Sequence, residues 1–379
     1  MVIKGARRVA LFLVVCAATR AASAGDGPLP NGNFEDSPDR SQMDGSTVTG
    51  PDAIPQWKTY GHVEHIASGQ KQGDMILTVP EGSYALRLGD DASIQQQLSV
   101  TPGTIYSVTF RSARTCAQNE KLSAWVVPGG APDEVHVQTL YTSIGWDSYC
   151  WAFQAQASSV TLVIHNPFHE DDKSCGPMID SVAIKTLYGA PQGNNNLLRN
   201  GDFEEGPYIA PGSQYGVLVP HRDERDISPL SGWMVLSYPN SKVVRYVRTP
   251  QGSYAVELVA GGEAALVQEV DTVPGSSCRL DFTVGDAGDN CVAKDQQPMR
   301  VQASTADNST TVEYSSEGSG GSVRASLEFK PSQSRTRVVF CSTGYHSKSD
   351  SSGTRCGPII DDASLVCASP TPAARRLLR

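Results

Sequence analysis

The sequence lacks any apolar run long enough to cross a membrane, which takes roughly 20 consecutive residues. Its longest run, residues 9–18, falls well short of that length. Basic residues precede the run and Ala22-Ser23-Ala24 follows it, the pattern of a signal peptide and its cleavage site. We therefore predict that residues 1–24 are removed and that the remaining chain is secreted and soluble.

Basic residues are also scarce, because 31 Lys and Arg stand against 40 Asp and Glu, a formal charge of −9. Loss of residues 1–24 removes four basic residues and no acid, so the mature charge becomes −13. An acidic surface disfavours nucleic acid and anionic membranes as partners and favours basic proteins. We predict no nucleic-acid and no membrane partner, although solubility alone would also explain the charge.

The short motifs that mark common catalytic sites are absent from the sequence. It has no G-x-S-x-G nucleophile elbow, no H-E-x-x-H zinc motif, no P-loop and no dinucleotide fingerprint. A glycosidase needs only two carboxylates at a suitable distance, and the 40 acidic residues leave that chemistry open. We predict that the protein is not an enzyme and keep an undescribed glycan hydrolase as a distant alternative.

What the chain does contain is an internal duplication. Cys-Gly-Pro-Met-Ile-Asp at residues 175–180 returns as Cys-Gly-Pro-Ile-Ile-Asp at residues 356–361. Three further matches recur in the same order: residues 29–35 with 198–204, Trp57 with Trp233, and residues 80–88 with 250–258. Matches that keep their order across two halves of a chain predict one structural unit built twice.

Secondary structure is predicted to be β almost throughout. Tyr106, Val108 and Phe110 alternate with Ser107 and Thr109, which is the period of a strand. Similar short runs recur between turn-forming residues, and 35 Gly and 24 Pro supply those turns. We predict an all-β protein made of two tandem jelly-roll β-sandwiches. Its predicted parts are the first module (residues 25–188), a linker (189–196), the second module (197–367) and a disordered tail (368–379).

Of the nine cysteines, Cys16 lies in the predicted signal peptide, so eight remain in the mature chain. An even number in a secreted protein indicates disulfides rather than a thiolate site. Two pairs occupy matching places in the repeat and a third is a further candidate: Cys116–Cys175, Cys291–Cys356 and Cys278–Cys367. On this pairing Cys150 and Cys341 remain as buried free thiols.

Several motifs resemble those of the plant domain-of-unknown-function 642 (DUF642) family. They include both N-G-x-F-E openings, both C-G-P-x-I-D motifs, and the segments 114–118, 145–149 and 256–261. The resemblance covers essentially the whole mature chain and implies two galactose-binding-domain-like β-sandwiches in a secreted cell-wall protein. It also implies binding to polysaccharides such as cellulose and association with pectin methylesterases, with no catalytic residues to transfer. The four cysteines outside the matching pairs and the arginine-containing tail depart from the family pattern.

Each C-G-P-x-I-D motif ends in an aspartate within an apolar strand. Alternation would place Asp180 on the same side as Val182 and Ile184, and a carboxylate buried there needs a hydrogen bond, a charge partner or a metal ion. Many carbohydrate-binding β-sandwiches hold a structural calcium ion between an N-G-x-F-E strand and such an aspartate. No cofactor is required, but the resemblance suggests calcium with these ligand candidates: Glu35 with Asp180, and Glu204 with Asp361. Alternatively, these acids only accept hydrogen bonds from backbone N–H groups.

Sugar-binding sites usually combine an exposed aromatic ring with amides and carboxylates that read the hydroxyl groups. Trp57 and Trp233 recur in both modules and are therefore expected in the cores. Trp146 and Trp151 are five apart, so on one strand one would face the core and the other solvent. For the polar candidates, local turn hydrogen bonding is the alternative. The candidate carbohydrate-binding residues are Tyr60, Trp125, Trp146, Trp151, Arg114, Gln118, Asp286 and Asn290.

Asn308-Ser-Thr is the one N-x-S/T sequon, and in a secreted chain it predicts glycosylation of Asn308. Our leading interpretation is a secreted, non-catalytic cell-wall protein that binds wall polysaccharide of the cellulose or hemicellulose type. The second is a protein-interaction module whose acidic surface binds and modulates basic wall enzymes such as pectin methylesterase. Exposure of the tryptophans decides where a glycan would bind.

Overall fold

A computed structural model describes residues 22–23, 25–72, 75–116, 120–138, 141, 144–169, 172–189, 195–211, 213, 216–238, 240–249, 253–292, 297–350 and 352–368. Most of the predicted signal peptide, residues 190–194 of the predicted linker, residues 369–379 of the predicted tail and Gln118 lie outside these ranges. Within them, no helix has the length and apolar character needed to cross a membrane.

Short strands dominate the chain before the predicted linker. They are β1 (Ala22–Ser23), β2 (Gly27–Pro28), β3 (Met43–Asp44), β4 (Thr47–Val48), β5 (Lys58–Tyr60), β6 (Val63–Ala67), β7 (Gln70–Gln72), β8 (Met75–Leu77), β9 (Tyr84–Leu88), β10 (Ser93–Ser99), β11 (Ile105–Ala113), β12 (Lys121–Val127), β13 (Asp133–His136), β14 (Asp147–Gln154), β15 (Ser159–His165) and β16 (Met178–Leu187). A 3-10 helix, Arg40–Gln42, lies between β2 and β3.

The chain after the predicted linker repeats this character. Its strands are β17 (Val217–Val219), β18 (Met234–Ser237), β19 (Val244–Arg248), β20 (Tyr254–Glu257), β21 (Ala264–Asp271), β22 (Ser277–Asp286), β23 (Met299–Ser304), β24 (Ser309–Tyr314), β25 (Gly321–Phe329), β26 (Arg335–Ser342), β27 (His346–Ser347), β28 (Arg355–Cys356) and β29 (Ile359–Ala368). A second 3-10 helix, Gly261–Glu263, precedes β21.

Three large sheets are built from these strands. The first outer sheet has the order β1-β10-β15-β12-β13, with β5 also paired to β10, and the second outer sheet has the order β18-β21-β26-β23-β24. The central sheet has 14 strands in the order β25-β22-β29-β20-β19-β17-β14-β11-β16-β9-β6-β4-β3, with β2 also paired to β16. The predicted all-β class and tandem β-sandwiches are confirmed, but the sequence did not predict that both modules share one sheet.

Each outer sheet packs on its own half of the central sheet over a separate hydrophobic core. Trp57 is 2% exposed in the first core and Trp233 is 1% exposed in the second, as expected from their recurrence. The indole N–H of Trp57 donates to the carbonyl oxygen of Asn31, and that of Trp233 to the carbonyl oxygen of Asn200, both at 2.9 Å. The tryptophans therefore hold the N-G-x-F-E segments against the cores.

The structure contains the three disulfides that the sequence predicts, Cys116–Cys175, Cys278–Cys367 and Cys291–Cys356. Cys150 is a buried free thiol, whereas the free thiol of Cys341 is only half-buried. The predicted burial is therefore confirmed for Cys150, whereas Cys341 is less buried than predicted.

A buried ion pair occupies matching places in both modules with its charges exchanged. Glu64 on β6 lies opposite Arg87 on β9, and Arg245 on β19 lies opposite Glu257 on β20. Nε of Arg87 donates to Glu64 at 2.6 Å, and Nε of Arg245 donates to Glu257 at 2.7 Å. All four side chains are at most 9% exposed. The acid and the base have changed strands while the cross-strand pair remains.

We predict that Glu64→Gln destabilises the protein, because the buried guanidinium of Arg87 loses its charge partner. Removal of one member of a buried ion pair costs about 3–5 kcal/mol in the free energy of unfolding. Denaturant unfolding measures this loss. The matched control is the double exchange Glu64→Arg with Arg87→Glu, which copies the second module and should recover most of the stability. A cost for Glu64→Gln below about 1 kcal/mol would place the pair among weak surface pairs.

Candidate functional site

Strand alternation divides the first outer sheet into a side that faces the core and a side that faces away. In β12, Ala124 lies in the core and Trp125 points outward; in β15, Ile164 lies in the core and His165 points outward. We call the outward side the outer face of the first module. Its side chains include Tyr60, Ser93, Gln95, Gln97, Trp125, Thr161, Val163 and His165.

The strand register brings two of the predicted aromatic residues onto this face. Tyr60 lies opposite Ser93, which lies opposite His165. In the adjacent row, Trp125 lies opposite Val163. Three strand spacings separate β5 from β12, so Tyr60 and Trp125 stand about 14 Å apart across the sheet. Tyr60 is 47% exposed and Trp125 is half-buried.

The indole of Trp125 is supported from one side by a polar chain. Its ring meets the ring of His165 edge-on, with centroids 5.9 Å apart and an angle of 88°. Nε2 of His165 lies 2.7 Å from Oδ1 of Asp91. Asp91 sits in a turn with a φ of 49°, just before β10. Asp91 thus fixes the imidazole, and the imidazole fixes the edge of the indole.

Amide groups flank the aromatic residues along β10. Gln95 and Gln97 both project from the outer face, and Nε2 of Gln97 donates to Oγ of Ser159 at 3.1 Å. An amide offers both a donor and an acceptor, which suits a hydroxyl-rich ligand. Aromatic rings, amides and carboxylates therefore lie on one face of the sheet.

A matching glutamine aligns the two modules for comparison. Nε2 of Gln96 donates to the carbonyl oxygen of Pro30 at 2.9 Å, and Nε2 of Gln268 donates to that of Arg199 at 3.0 Å. Both amides tie β10 or its counterpart β21 to the opening segment of the module. Counting along the strands from these glutamines gives the equivalent positions of the two outer sheets.

The second module carries different chemistry at those positions. In each module, the residue that follows the cross-strand partner of the aligning glutamine is a valine. Trp125 lies opposite this valine in the first module and Ser304 lies opposite it in the second, so Ser304 is the counterpart of Trp125. The remaining equivalences are Leu236 with Tyr60, Cys341 with His165, and Arg337 with Thr161. Arg337 shares the carboxylate of Glu269 with Arg335, at 2.5 Å and 2.8 Å, so charged groups occupy this part of the second face. At these equivalent positions, the aromatic pair Tyr60 and Trp125 therefore belongs to the first module only.

Trp146 and Trp151 do not join this face. Trp146 is 3% exposed and its indole N–H donates to the carbonyl oxygen of Thr78 at 2.8 Å. Trp151 is 4% exposed and stacks on Phe153 in the first core, with ring centroids 5.3 Å apart. The prediction that one of the two faces solvent is wrong, because Trp146 precedes β14 and does not share a strand with Trp151.

Asp286 is used inside the second module. It is 2% exposed, and its carboxylate accepts hydrogen bonds from Tyr314, Ser316 and two backbone N–H groups. With both oxygens occupied, this carboxylate ties the loop before β25 to the end of β22. Asp286 therefore makes local hydrogen bonds, as the alternative to sugar binding predicts.

The other polar candidates lie apart from the outer face. Asn290 is exposed with a φ of 64°, and its backbone bonds to Gly318 and Ser349 hold a turn. Arg114 is half-buried immediately after β11. Gln118 lies outside the described residues. The sequon residue Asn308 is exposed in the hairpin turn between β23 and β24.

Asp180 occupies a β-bulge rather than a regular strand position. The register between β11 and β16 shifts between Thr109 and Arg111, and Ser181 has a φ of 52°. Ile179 and Val182 both face the core, so the bulge turns Asp180 to the opposite side, next to Arg111. The prediction that alternation aligns Asp180 with Val182 is therefore wrong, yet Asp180 remains fully buried.

The carboxylate of Asp180 is only half satisfied. Oδ1 accepts a hydrogen bond from Ser181 N–H at 2.6 Å, whereas Oδ2 has no hydrogen-bond partner. Burial raises the pKa of Asp180 to about 8; the Ser181 hydrogen bond and the charge of Arg111 oppose this shift, and the carboxylates of Glu81 and Glu35 add to it. A buried oxygen without a partner, with further carboxylates nearby, fits a hard cation such as calcium.

Glu35 accepts hydrogen bonds from backbone N–H groups, as the alternative to calcium binding predicts. Its Oε1 accepts hydrogen bonds from the N–H groups of Ser83 at 2.7 Å and Tyr84 at 2.9 Å. In the second module, Oε1 of Glu204 likewise accepts the N–H of Tyr254 at 2.9 Å. Each glutamate retains oxygen lone pairs beyond these bonds.

Asp361 repeats the geometry of Asp180. Its Oδ1 accepts the N–H of Asp362 at 2.7 Å, and Asp362 has a φ of 50°. Burial raises the pKa of Asp361 to about 7; the bond from Asp362 N–H lowers it, and the nearby charges of Asp362, Glu204 and Asp202 raise it. Both modules therefore present a carboxylate on a left-handed bulge.

Sequence reasoning missed His165, Asp91 and Gln95 as members of the outer face. No motif marks them. The signal that was available is alternation, because Val160, Leu162 and Ile164 form the core side of β15 and leave His165 on the other side.

A family model described as "Protein of unknown function (DUF642)" matches residues 27–185 and 196–366. In Arabidopsis thaliana, "Protein DUF642 L-GALACTONO-1,4-LACTONE-RESPONSIVE GENE 1" is 48% identical over 363 residues, covering 94% of this chain and 96% of that protein. "Protein TEEBE" from the same organism is 39% identical over 345 residues, covering 90% of this chain and 92% of that protein.

Two solved structures of carbohydrate-binding modules are also similar. The tandem CBM22-1-CBM22-2 domain of Paenibacillus barcinonensis Xyn10C is 15% identical, with 92% of this chain and 100% of that chain covered and a TM-score of 0.27. TmCBM61 in complex with beta-1,4-galactotriose is 18% identical, with 46% of this chain and 100% of that chain covered and a TM-score of 0.26. Scores this low carry no functional argument.

We predict that N-bromosuccinimide oxidises one tryptophan per native molecule. Trp125 is half-buried, whereas the other four tryptophans are at most 4% exposed. Absorbance at the indole band counts the oxidised rings. Trp125→Phe should abolish the fast reaction, and Trp146→Phe, the control, should leave it unchanged. Two or more rapidly oxidised rings in the native protein would contradict the placement of these side chains.

Proposed function

Because the chain belongs to the DUF642 family of proteins of unknown function, we propose its function from the outer face of the first module. The protein is a secreted, non-catalytic cell-wall protein that binds wall polysaccharide of the cellulose or hemicellulose type. The observation that carries the proposal is the placement of Tyr60 and Trp125 on one sheet face, among amides and a carboxylate. The named relatives describe no ligand, so the proposal rests on this geometry.

The outer face suits an extended, neutral glycan. Aromatic rings bury the apolar face of a pyranose, while Gln95 and Gln97 offer donors and acceptors to its hydroxyl groups. A sheet surface is rigid, so little conformational entropy is lost when a chain lies along it. The mature charge of −13 disfavours polyuronates as electrostatic ligands.

Among the described residues, two acidic side chains at this face each have a basic neighbour. Asp91 is bonded to His165 at 2.7 Å, and Glu134 on β13 forms an ion pair with Lys121 at 2.6 Å. A glycosidase needs one carboxyl group to give a proton and another to act on the opposite side of the bond. Because both acids are already bonded to basic side chains, the face supports binding rather than hydrolysis.

Secretion is part of the proposal and has independent support. Three disulfides in one chain are typical of proteins that fold in an oxidising compartment. The exposed position of Asn308 in a hairpin turn supports the proposal that it carries a glycan there. Both features suit a protein of the cell wall.

The second candidate function is docking to a basic wall enzyme such as pectin methylesterase. The observation that favours it is the acidic mature charge of −13. Contacts between exposed charges weaken as salt shortens the Debye length from about 10 Å at 0.1 M to 3 Å at 1 M. Stacking of sugars on aromatic rings does not weaken in this way, so salt separates the two functions.

We predict that the native protein is retained on insoluble cellulose or xylan and that Trp125→Ala weakens this retention about 5- to 30-fold. Loss of a stacked aromatic ring costs on the order of 1–2 kcal/mol, which corresponds to such a change in affinity. Depletion of protein from solution at 0.1 M and 1 M salt measures the retention. Ser304→Ala, at the equivalent position of the second module, is the matched control and should bind like the native protein.

Other outcomes of this experiment point elsewhere. Retention on neither cellulose nor xylan would remove the leading function. Capture by a basic wall enzyme that disappears at 1 M salt would favour the docking function. Release of reducing sugar from either polysaccharide would identify a hydrolase instead.

We also propose that calcium occupies the bulge site of the first module in a structural role. Asp180 would supply its unpartnered Oδ2, with Glu35 and Glu81 as nearby carboxylates and backbone carbonyls completing the shell. Calcium would offset the cost of burying an ionised Asp180. Glu204 and Asp361 are the corresponding candidates in the second module.

We predict that a calcium chelator lowers the melting temperature by several degrees and that added calcium restores it. Asp180→Asn should remove most of this response, because the amide loses the charge that holds the ion. Asp172→Asn is the control, since Asp172 is an exposed acid that only bonds within its own turn. A melting temperature unaffected by chelator and by calcium would show that the acids serve the backbone alone.

A further inference from the structure

We infer that the two modules are one folding unit joined through β17, and that each module completes the hydrophobic core of the other. The linker is then dispensable for keeping them together. This inference is independent of the proposed function, because it concerns the contacts between modules and not the outer face.

The strand β17 serves both modules at once. Leu218 lies opposite Tyr149 of β14 in the first module and opposite Arg245 of β19 in the second. The side chain of Leu218 belongs to the first core, whereas Val217 and Val219 belong to the second. Successive strand residues point to opposite sides, so the two cores lie on opposite sides of the central sheet at this strand.

The exchange of core residues runs in both directions. Val243 and Val259 of the second module, both at most 4% exposed, pack in the first core. Cys150 of the first module is fully buried in the second core, and its Sγ lies 3.4 Å from the carbonyl oxygen of Leu218. Separation would expose apolar surface on both modules.

Polar contacts of buried groups accompany this apolar exchange. The guanidinium of Arg222 is 4% exposed and lies 3.0 Å from the carboxylate of Asp133 in the first module. Two hydrogen bonds cross the same junction: Arg245 Nη1 to the carbonyl oxygen of Tyr141 at 2.9 Å, and Gln138 Nε2 to that of Ser241 at 2.6 Å. Arg245 belongs to the charge-exchanged ion pair, so the second module's version of that pair also ties the modules together.

Such a junction differs from the usual contact between tandem domains. Interfaces between domains of one chain are generally polar and allow relative motion unless they are large and hydrophobic. Here a shared sheet, shared cores and the ion pair of the buried Arg222 guanidinium with Asp133 hold the modules together. The second module, which carries Leu236 and Ser304 at the positions equivalent to Tyr60 and Trp125, therefore acts as a fixed support for the first.

The test introduces a protease site between residues 189 and 196 of the full chain and cleaves the folded protein. The cleaved halves should elute together in gel filtration and unfold in a single thermal transition. An aromatic disulfide reagent should label Cys341, which is half-buried, and leave Cys150 unlabelled, because β17 covers it. Cys150 thereby reports opening of the junction.

Two variants of the cleaved protein probe the junction, with one matched control. Leu218→Ala and Asp133→Asn should separate the halves or raise the labelling rate of Cys150 at least tenfold. Glu134→Gln is the control, because Glu134 neighbours Asp133 but pairs with Lys121 inside the first module. It should leave elution and labelling unchanged.

Either of two results would overturn the inference: wild-type halves that separate while remaining folded, or Cys150 labelled as fast as Cys341 in the uncleaved protein. If Leu218→Ala fails to fold, Asp133→Asn and the cleaved wild type still decide the matter. If the wild-type protein binds no glycan but its elution and Cys150 labelling are as expected, the result counts against the proposed function and not against this inference.

Discussion

The arrangement of the two modules depends on the need of two strand edges, those of β14 and β19, for hydrogen-bond partners. A β-sandwich that ends at β14 or β19 would present a row of unpaired N–H and C=O groups, which invites association with other chains. In this protein, three residues, Val217–Val219, pair with both edges at once, at Tyr149 of β14 and along Val244–Tyr246 of β19. The same three side chains alternate between the two cores, so backbone pairing and apolar burial are satisfied by one short strand.

Duplication has preserved the interactions that hold each module together and changed the surface that meets solvent. Trp57 and Trp233 bond the same backbone position, and Gln96 and Gln268 anchor the same opening segment. The buried ion pair persists even though acid and base have changed strands, because only their opposite charge matters to burial. The outer faces have diverged, since the half-buried Trp125 of the first module corresponds to Ser304 in the second.

Much of the fold follows from the sequence, and the failures have physical causes. Recurrence placed Trp57 and Trp233 in the cores, and alternation defined β11. Alternation failed at Asp180, because a bulge with Ser181 in the left-handed region inserts one residue and reverses the sides. It failed at Trp146, because that residue lies outside β14. Three residues of β17 are too few to show any period, and nothing local in them indicates two partners from different modules.

The sequence predicted only the aromatic residues of the candidate site, for a related reason. Tyr60 and Trp125 attracted notice as aromatic residues, but pairing of β5, β10, β15 and β12 is what brings them together. On the proposed function, one aromatic face on a rigid pair of modules gives a single binding site. Two linked sites would gain affinity through effective concentration, whereas this arrangement cannot. Its rigidity then benefits the site itself, because a fixed central sheet supports the first outer sheet and keeps the indole of Trp125 in place for a polysaccharide chain.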